Sequence, residues 1–299
     1  MRFLTSKWAL VAIGLFVVIV GIVVFRVVVK EEVAQPVTEE PTATESRTTT
    51  YRVIGRSVEG RKIEAYTYPS LSSGSEEAHL LFVGGVHGGY EWNSVLLAYE
   101  LIDYLTLNPG EIPEGLTVTV IPSANPDGVS KVIGVDGRFT RADVPEGISL
   151  APGRFNARGV DLNRNFDCKW KPESMWRGDV VSAGSAPFSE PESAAIREFV
   201  LEHDPDAVVF WHSQSDAVYA SECEAGILPG TLDLMNIYSQ ASGYPAVSSF
   251  DFYEITGDAE GWLASIGIPA ITVELSTHES IEWEENLAGA TALFLEYEK

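Results

Sequence analysis

From Tyr51 onward the chain switches repeatedly between two hydrophobic rhythms. Compact apolar blocks read as strands: YRVIGR and KIEAYTYP around a Glu59-Gly60 turn, then HLLFVGGVH, LTVTVIPSANP, Ala207 to Trp211 and Ala270 to Leu275. Between them the spacing lengthens. Val95, Leu96, Ala98, Leu101, Ile102 and Leu105 recur at helical intervals and predict a helix over Glu91 to Thr106. Ser189-Glu-Pro-Glu192 has the form of a capping box and opens a helix predicted to run to His203. Thr231 to Gly243 and Ile281 to Tyr297 also read as helices, and NPDG (Asn125 to Gly128) as a turn. Ser130 to Pro187 is rich in Gly, Asp and Arg and poor in regular pattern, and long loops of that kind are often functional. Strands that alternate with helices predict an α/β fold with a mixed, mostly parallel central sheet and helices on both faces.

Ahead of this domain the pattern changes twice. Trp8 to Phe25 contains no charge, a length that can span a hydrocarbon core of about 30 Å. A cleavable signal peptide has a shorter apolar region and a small-x-small site after it, so residues 1–30 are read as an uncleaved transmembrane signal anchor. Arg2 and Lys7 on one side nearly balance Arg26 and Lys30 on the other. A cytoplasmic N-terminus is expected from the simplest route for a lone N-terminal span, which places the following domain at the cell membrane, single-pass and extracytoplasmic. Residues 31–50 are rich in Thr, Glu and Pro and read as a flexible linker. Residues 51–299 then form the folded domain, long enough for one large core.

The formal charge of −23 argues against a nucleic-acid partner, whose phosphates need Lys and Arg. The chain has two cysteines, Cys168 and Cys223, and outside a reducing compartment they are expected to pair. Two buried thiols that never meet are the alternative.

The chemistry lies where apolar runs end. His87 follows HLLFVGGV, and Gly88 and Gly89 after it let the backbone turn tightly. Glu91 is then placed in the first turn of the next helix, where a carboxylate also suits the helix dipole. His212 follows VVFW, and Glu274 sits within ITVEL. Two His and one carboxylate leave the fourth position of a tetrahedral zinc open. A carboxylate in a buried strand needs either a salt-bridge partner or a role as general base. His79, His203 and His278 lack comparable contexts. In GRFNARGVDLNRNF an Arg can clamp a carboxylate bidentately or stabilise an oxyanion, although Arg158 suits simple charge balance.

Taken in order, these segments resemble the zinc carboxypeptidase family, in particular carboxypeptidase A-like metallopeptidases of the short bacterial type. The resemblance covers about residues 51 to 298, and GVDLNRNF is its most specific piece. It implies one Zn2+ per chain held by His87, Glu91 and His212. It implies that Asn163 and Arg164 hold the substrate's terminal carboxylate, that Arg154 stabilises the oxyanion, and that Glu274 is the general base. Tyr253 is the candidate for the family's closing tyrosine, and the region around Asp258 to Glu260 is where the family's side-chain pocket is lined, which leaves specificity open. The family's usual metal motif is H-x-x-E, whereas here the glutamate comes one residue later and Tyr90 stands in its place. The expected function is a zinc carboxypeptidase acting on peptides with a free C-terminal carboxylate. A cell-wall (murein) peptide hydrolase or amidase is the alternative, and an inactive surface-tethered binding domain a second one.

Overall fold

A computed structural model describes residues 47–72, 77–250 and 254–298. The expected anchor, most of the linker and Tyr253 lie outside the described residues. Among the described residues no helix is long and apolar enough to cross a membrane. Arg47 is already buried, donating to the carbonyls of Pro69, Ile112 and Pro113.

The strands, in chain order, are β1 (Thr50–Arg56), β2 (Lys62–Tyr68), β3 (Ala78–Val83), β4 (Leu116–Ile121), β5 (Glu173–Trp176), β6 (Asp179–Ser182), β7 (Ala207–Ser213), β8 (Ala217–Ala220), β9 (Glu222–Cys223), β10 (Gly226–Ile227), β11 (Ala246–Val247) and β12 (Ala270–Leu275). The helices are α1 (Trp92–Leu107), α2 (Pro126–Ile133), α3 (Pro191–His203), α4 (Pro229–Ser242), α5 (Ala259–Ser265) and α6 (Trp283–Glu296). Eight strands form one sheet in the order β1-β2-β4-β3-β7-β12-β8-β11. Its centre, β4-β3-β7-β12, is parallel, as is β8-β11; β1-β2, β2-β4 and β12-β8 are antiparallel. The sheet is therefore mixed, with a parallel centre.

Strand alternation sorts the core into two layers. Leu80 and Phe82 of β3 and Val209 and Trp211 of β7 pack on one face with α1, α4 and α6. Leu81, Val83, Val208 and Phe210 pack on the other face with α3 and α5. From β3 the chain crosses through α1 to β4 on one side, while β7 and β12 extend the sheet on the other. The carboxyl ends of β3 and β7 thus part at a switch point, where open α/β sheets place their ligands.

Several local expectations change. NPDG opens α2 rather than a turn: Asn125 caps it by accepting from Gly128 N, and Pro126 takes the first helical position. The cap of α3 is Glu190, not Ser189, and Glu192 accepts from Val58 N instead of closing a box. The irregular stretch before Pro187 contains the β5-β6 hairpin, whose apolar content is too low to have marked it.

Candidate active site

His87 lies four residues beyond the end of β3 and caps a 3-10 turn, Gly88–Glu91, that precedes α1. Glu91 therefore sits in that turn and not within the α-helix itself. Gly88 has φ +48, and a Cβ there would lie 2.6 Å from Gly153 O. Only glycine fits, and this turn absorbs the extra residue. Tyr90 points aside, its ring against Trp176 and His278. Glu91 returns to His87, with Oε1 2.8 Å from Nδ1. His212, near the end of β7, brings its Nδ1 within 3.0 Å of Glu91 Oε2 and 3.2 Å of His87 Nδ1. All three side chains are buried, and their ligand-type atoms lie within 4.8 Å of one another.

The far nitrogens explain this arrangement. His87 Nε2 faces Asp161 Oδ1 at 3.4 Å, and His212 Nε2 faces Glu260 Oε1 at 3.2 Å. Neither Nε2 is hydrogen-bonded, but a neutral ring that carries its proton there, on the side of the carboxylate, turns its Nδ1 lone pair toward Glu91. Two lone pairs and a carboxylate converging in a buried space call for a cation, and three ligands with an open side suit zinc. Without one, burial opposes charge on Glu91, but the His87 and His212 charges hold its carboxyl well below the usual range. Burial likewise disfavours a His212 imidazolium, yet Glu91 and Glu260 hold it well above the ordinary value. Burial opposes charge on Asp161 too, and Arg154, His87 and Arg164 outweigh it to keep that carboxyl low.

Glu274 pairs with His212 in register across β12 and β7. Period-two alternation sends Phe210, His212, Thr272 and Glu274 to the α5 face, where Glu260 also accepts from Thr272 Oγ1 at 3.0 Å. Glu274 Oε2 is buried with no hydrogen-bond partner, and among the described residues Glu274 makes no ion pair. Burial and the neighbouring Glu91 charge push its pKa up to about 8, against the pull of His212.

Arg154 donates from Nε to Asp161 Oδ2 at 2.8 Å and lies 3.7 Å from Glu91 Oε1. Arg164 donates Nη1 to Asn163 O, while its Nε is buried without a partner. Asn163 accepts from Ala259 N through Oδ1, which leaves its amide NH2 toward the cleft. Gly257 (φ +71) supports Arg164: a Cβ there would lie 2.1 Å from Arg164 O. Arg158 is apart from the cleft, paired with Glu190. Cys168 and Cys223 are joined by a disulfide, and Cys168 lines the cleft. A cavity of about 440 Å³ holds His87, Glu91, Arg154, Asn163, Arg164, His212 and Glu274 together.

Sequence reasoning missed four contributors. Asp161 stands two residues before Asn163 in the most specific motif, so a histidine partner was readable there. Glu260 is not among them, since the family likeness already places Asp258 to Glu260 along the side-chain pocket; Asp258 caps α5 by accepting from Gly261 N, and what the sequence hid is that Glu260 reaches His212. The expectation that His278 is an uninvolved loop residue is corrected: its Nδ1 is 2.7 Å from Ser213 Oγ, which also reaches Asn93 Oδ1. Trp176 and Arg177, from the unmarked hairpin, line the cleft mouth.

The family model for zinc carboxypeptidases matches residues 37–288. The chain is 30% identical to murein peptide amidase A of Escherichia coli over 163 residues, 51% of this chain and 63% of that protein. It is 24% identical to gamma-D-glutamyl-L-diamino acid endopeptidase 1 of Lysinibacillus sphaericus over 236 residues, 71% of this chain and 58% of that protein. The matches thus span less than two thirds of these relatives' own lengths. Among solved structures, the murein-tripeptide amidase of Escherichia coli superposes with TM-score 0.57 at 26% identity, covering 82% of this chain and 91% of that one. Carboxypeptidase A of Helicoverpa armigera gives TM-score 0.63 at 19% identity, covering 83% and 69%.

Proposed function

We propose, from the fact that the chain belongs to the zinc carboxypeptidase family, that it is a zinc exopeptidase. It hydrolyses the amide bond joining a C-terminal residue to the rest of a peptide. The observation that carries this reading is the partnerless Glu274 carboxylate beside His87, Glu91 and His212 in one cleft. A purely binding domain has no use for a buried base held at about pKa 8. When bound by those three residues, one zinc ion supplies Lewis acidity to the scissile carbonyl and acidifies water.

Glu274 takes the proton from the attacking water and returns it to the leaving amine. Arg154, fixed by Asp161, faces the oxygen on which negative charge develops. Arg164 and the free amide of Asn163 clamp the terminal carboxylate, and the buried, unpartnered Nε supports that assignment. The family's closing tyrosine is assigned to Tyr253. A comparison of free-acid with C-terminally amidated peptides tests the reading: the zinc-loaded protein is expected to cleave the acids and lose activity to chelator. Equal cleavage of both removes the exopeptidase assignment.

A narrower substrate class, cell-wall peptides, is favoured by the likeness to murein peptide amidase A and to the gamma-D-glutamyl-L-diamino acid endopeptidase. The cleft lining agrees, because the carboxyl groups of Glu222 and Asp258, which make no ion pair among the described residues, suit a terminal residue with a second amine. The uncharged run Trp8 to Phe25 and the cystine support a membrane-anchored enzyme working outside the cytoplasm. Protease accessibility in intact cells tests that placement.

A further inference from the structure

Arg177 has no role in the chemistry above. It occupies the tip of the β5-β6 hairpin, in a two-residue turn where Arg177 has φ 53 and Gly178 φ 89. Such a turn is tight and fixes the direction of its side chains. Ser174 Oγ, 3.0 Å from Thr256 Oγ1, ties the hairpin to the loop beside Arg164. The Arg177 guanidinium lies over two rings, 5.8 Å from the centre of Tyr90 and 5.6 Å from that of Trp176. Among the described residues it makes no ion pair and no side-chain hydrogen bond. Every other arginine lining the cleft has a hydrogen-bond acceptor: Arg154 has Asp161, and Arg164 has the Asn163 carbonyl. In a chain of charge −23, an exposed arginine at the mouth of an acidic cleft without a carboxylate partner is unusual.

Its position relative to the scissile bond follows from its neighbours. Arg164 and Asn163 mark the leaving side of the cleft. Trp176 stands beside the reacting centre, because the Arg154 guanidinium, assigned to the oxyanion, stacks on it at 4.8 Å while reaching Glu91. The wall formed by Tyr90, Trp176 and Arg177 thus adjoins the position assigned to the oxyanion, where an acyl half continues from the scissile carbonyl. Guanidinium stacked on aromatic rings is partly desolvated yet keeps its edge N–H groups free, a geometry suited to a planar carboxylate.

We propose that Arg177 recognises a free carboxylate on the residue at the acyl side of the scissile amide, the α-carboxylate of a γ-linked glutamyl residue. In a γ-glutamyl linkage the side-chain carbonyl is cut and the α-carboxylate stays free a few bonds away. The assignment rests on the cell-wall peptide reading and makes Arg177 a specificity residue within it.

The test uses two synthetic peptides that share a γ-D-glutamyl bond to a C-terminal diamino acid with a free carboxylate. They differ only in whether the glutamyl α-group is a carboxylate or a carboxamide. The zinc-loaded full chain is expected to favour the carboxylate by roughly 10–100-fold in kcat/KM, as for a charge-assisted contact. Arg177→Gln is expected to bring that ratio close to one, and Arg177→Lys to restore part of it, with metal content and unfolding midpoint as in the wild type. A wild-type ratio near one, or an equal loss on both peptides in Arg177→Gln, overturns the assignment and leaves the exopeptidase reading standing. Cleavage of neither peptide, with α-linked free-acid peptides still cut, overturns the assignment and the cell-wall reading together.

Discussion

Glu91 and Glu274 sit within one site and have opposite proposed duties, metal ligand and general base, and their surroundings separate them. Glu91 is wrapped by two imidazoles that keep it charged; Glu274 has no partner and holds its proton to about pH 8. Glu91→Ala is expected to abolish stoichiometric zinc binding, read by metal analysis after dialysis, because two histidines alone leave too few ligands. Retention of a full equivalent would show that the late glutamate is not a ligand. Glu274→Gln is expected to keep zinc and fold while lowering kcat by roughly 10²–10⁴-fold, the usual contribution of a positioned base. Both residues were legible in the sequence, because each follows or interrupts an apolar strand. The reason that Glu91 comes one position late and still meets His87 and His212 was not, since it depends on the left-handed Gly88 packed against Gly153 from a distant segment. The contacts of Glu260 and His278 were hidden for a related reason: their partners, His212 and Ser213, are brought to them only by the sheet.

At the level of elements, the strands and helices with strong periodicity emerged where the pattern put them: β3, β4, β7, β12, α1, α4 and α6. Those that failed have little apolar content of their own. The β5-β6 hairpin exposes Met175 and Val180, and is fixed instead by backbone bonds, as from Asp161 N to Ser182 O at 2.9 Å and Ala183 N to Pro172 O at 3.0 Å. The cystine acts in the same region. Cys168 follows the Asn163-Arg164 segment, Cys223 lies on β9, and Cys168 O accepts from Gly257 N at 2.7 Å. The bridge closes a separation of 55 residues around one wall of the cleft. A double Cys168→Ser, Cys223→Ser variant is expected to lose about 2–4 kcal/mol of stability in urea unfolding, chiefly through its less constrained unfolded chain. An unchanged midpoint would show that the loops hold themselves.

Over the whole molecule the site is a liability that the metal relieves, and this gives stability a defined dependence on pH. The folded pKa of Glu274, about 8, lies above its ordinary 4.5, so the folded state binds that proton more tightly. The associated stabilisation is complete below the ordinary value and is lost as pH rises through about 8. His212 has the same sign, its folded pKa being raised, so its contribution also fades as pH climbs past the ordinary imidazole range. Glu91, with its pKa lowered, contributes fully above the ordinary carboxylate value and stays constant across that interval. Metal-free protein is therefore expected to become less stable from pH 5 to pH 8.5. Zinc reverses the trend by supplying positive charge among these carboxylates and by competing with protons for His87 and His212. The gap in unfolding midpoint between zinc-loaded and chelator-stripped protein should widen steadily with pH, on top of the ordinary gain from ligand binding. Glu274→Gln separates the contributions: its metal-free form should lose the part of the decline that begins above the ordinary carboxylate range and ends near pH 8, and keep the part that belongs to His212. A gap that stays constant or narrows with pH would mean that the buried carboxylates do not set the stability of the empty site.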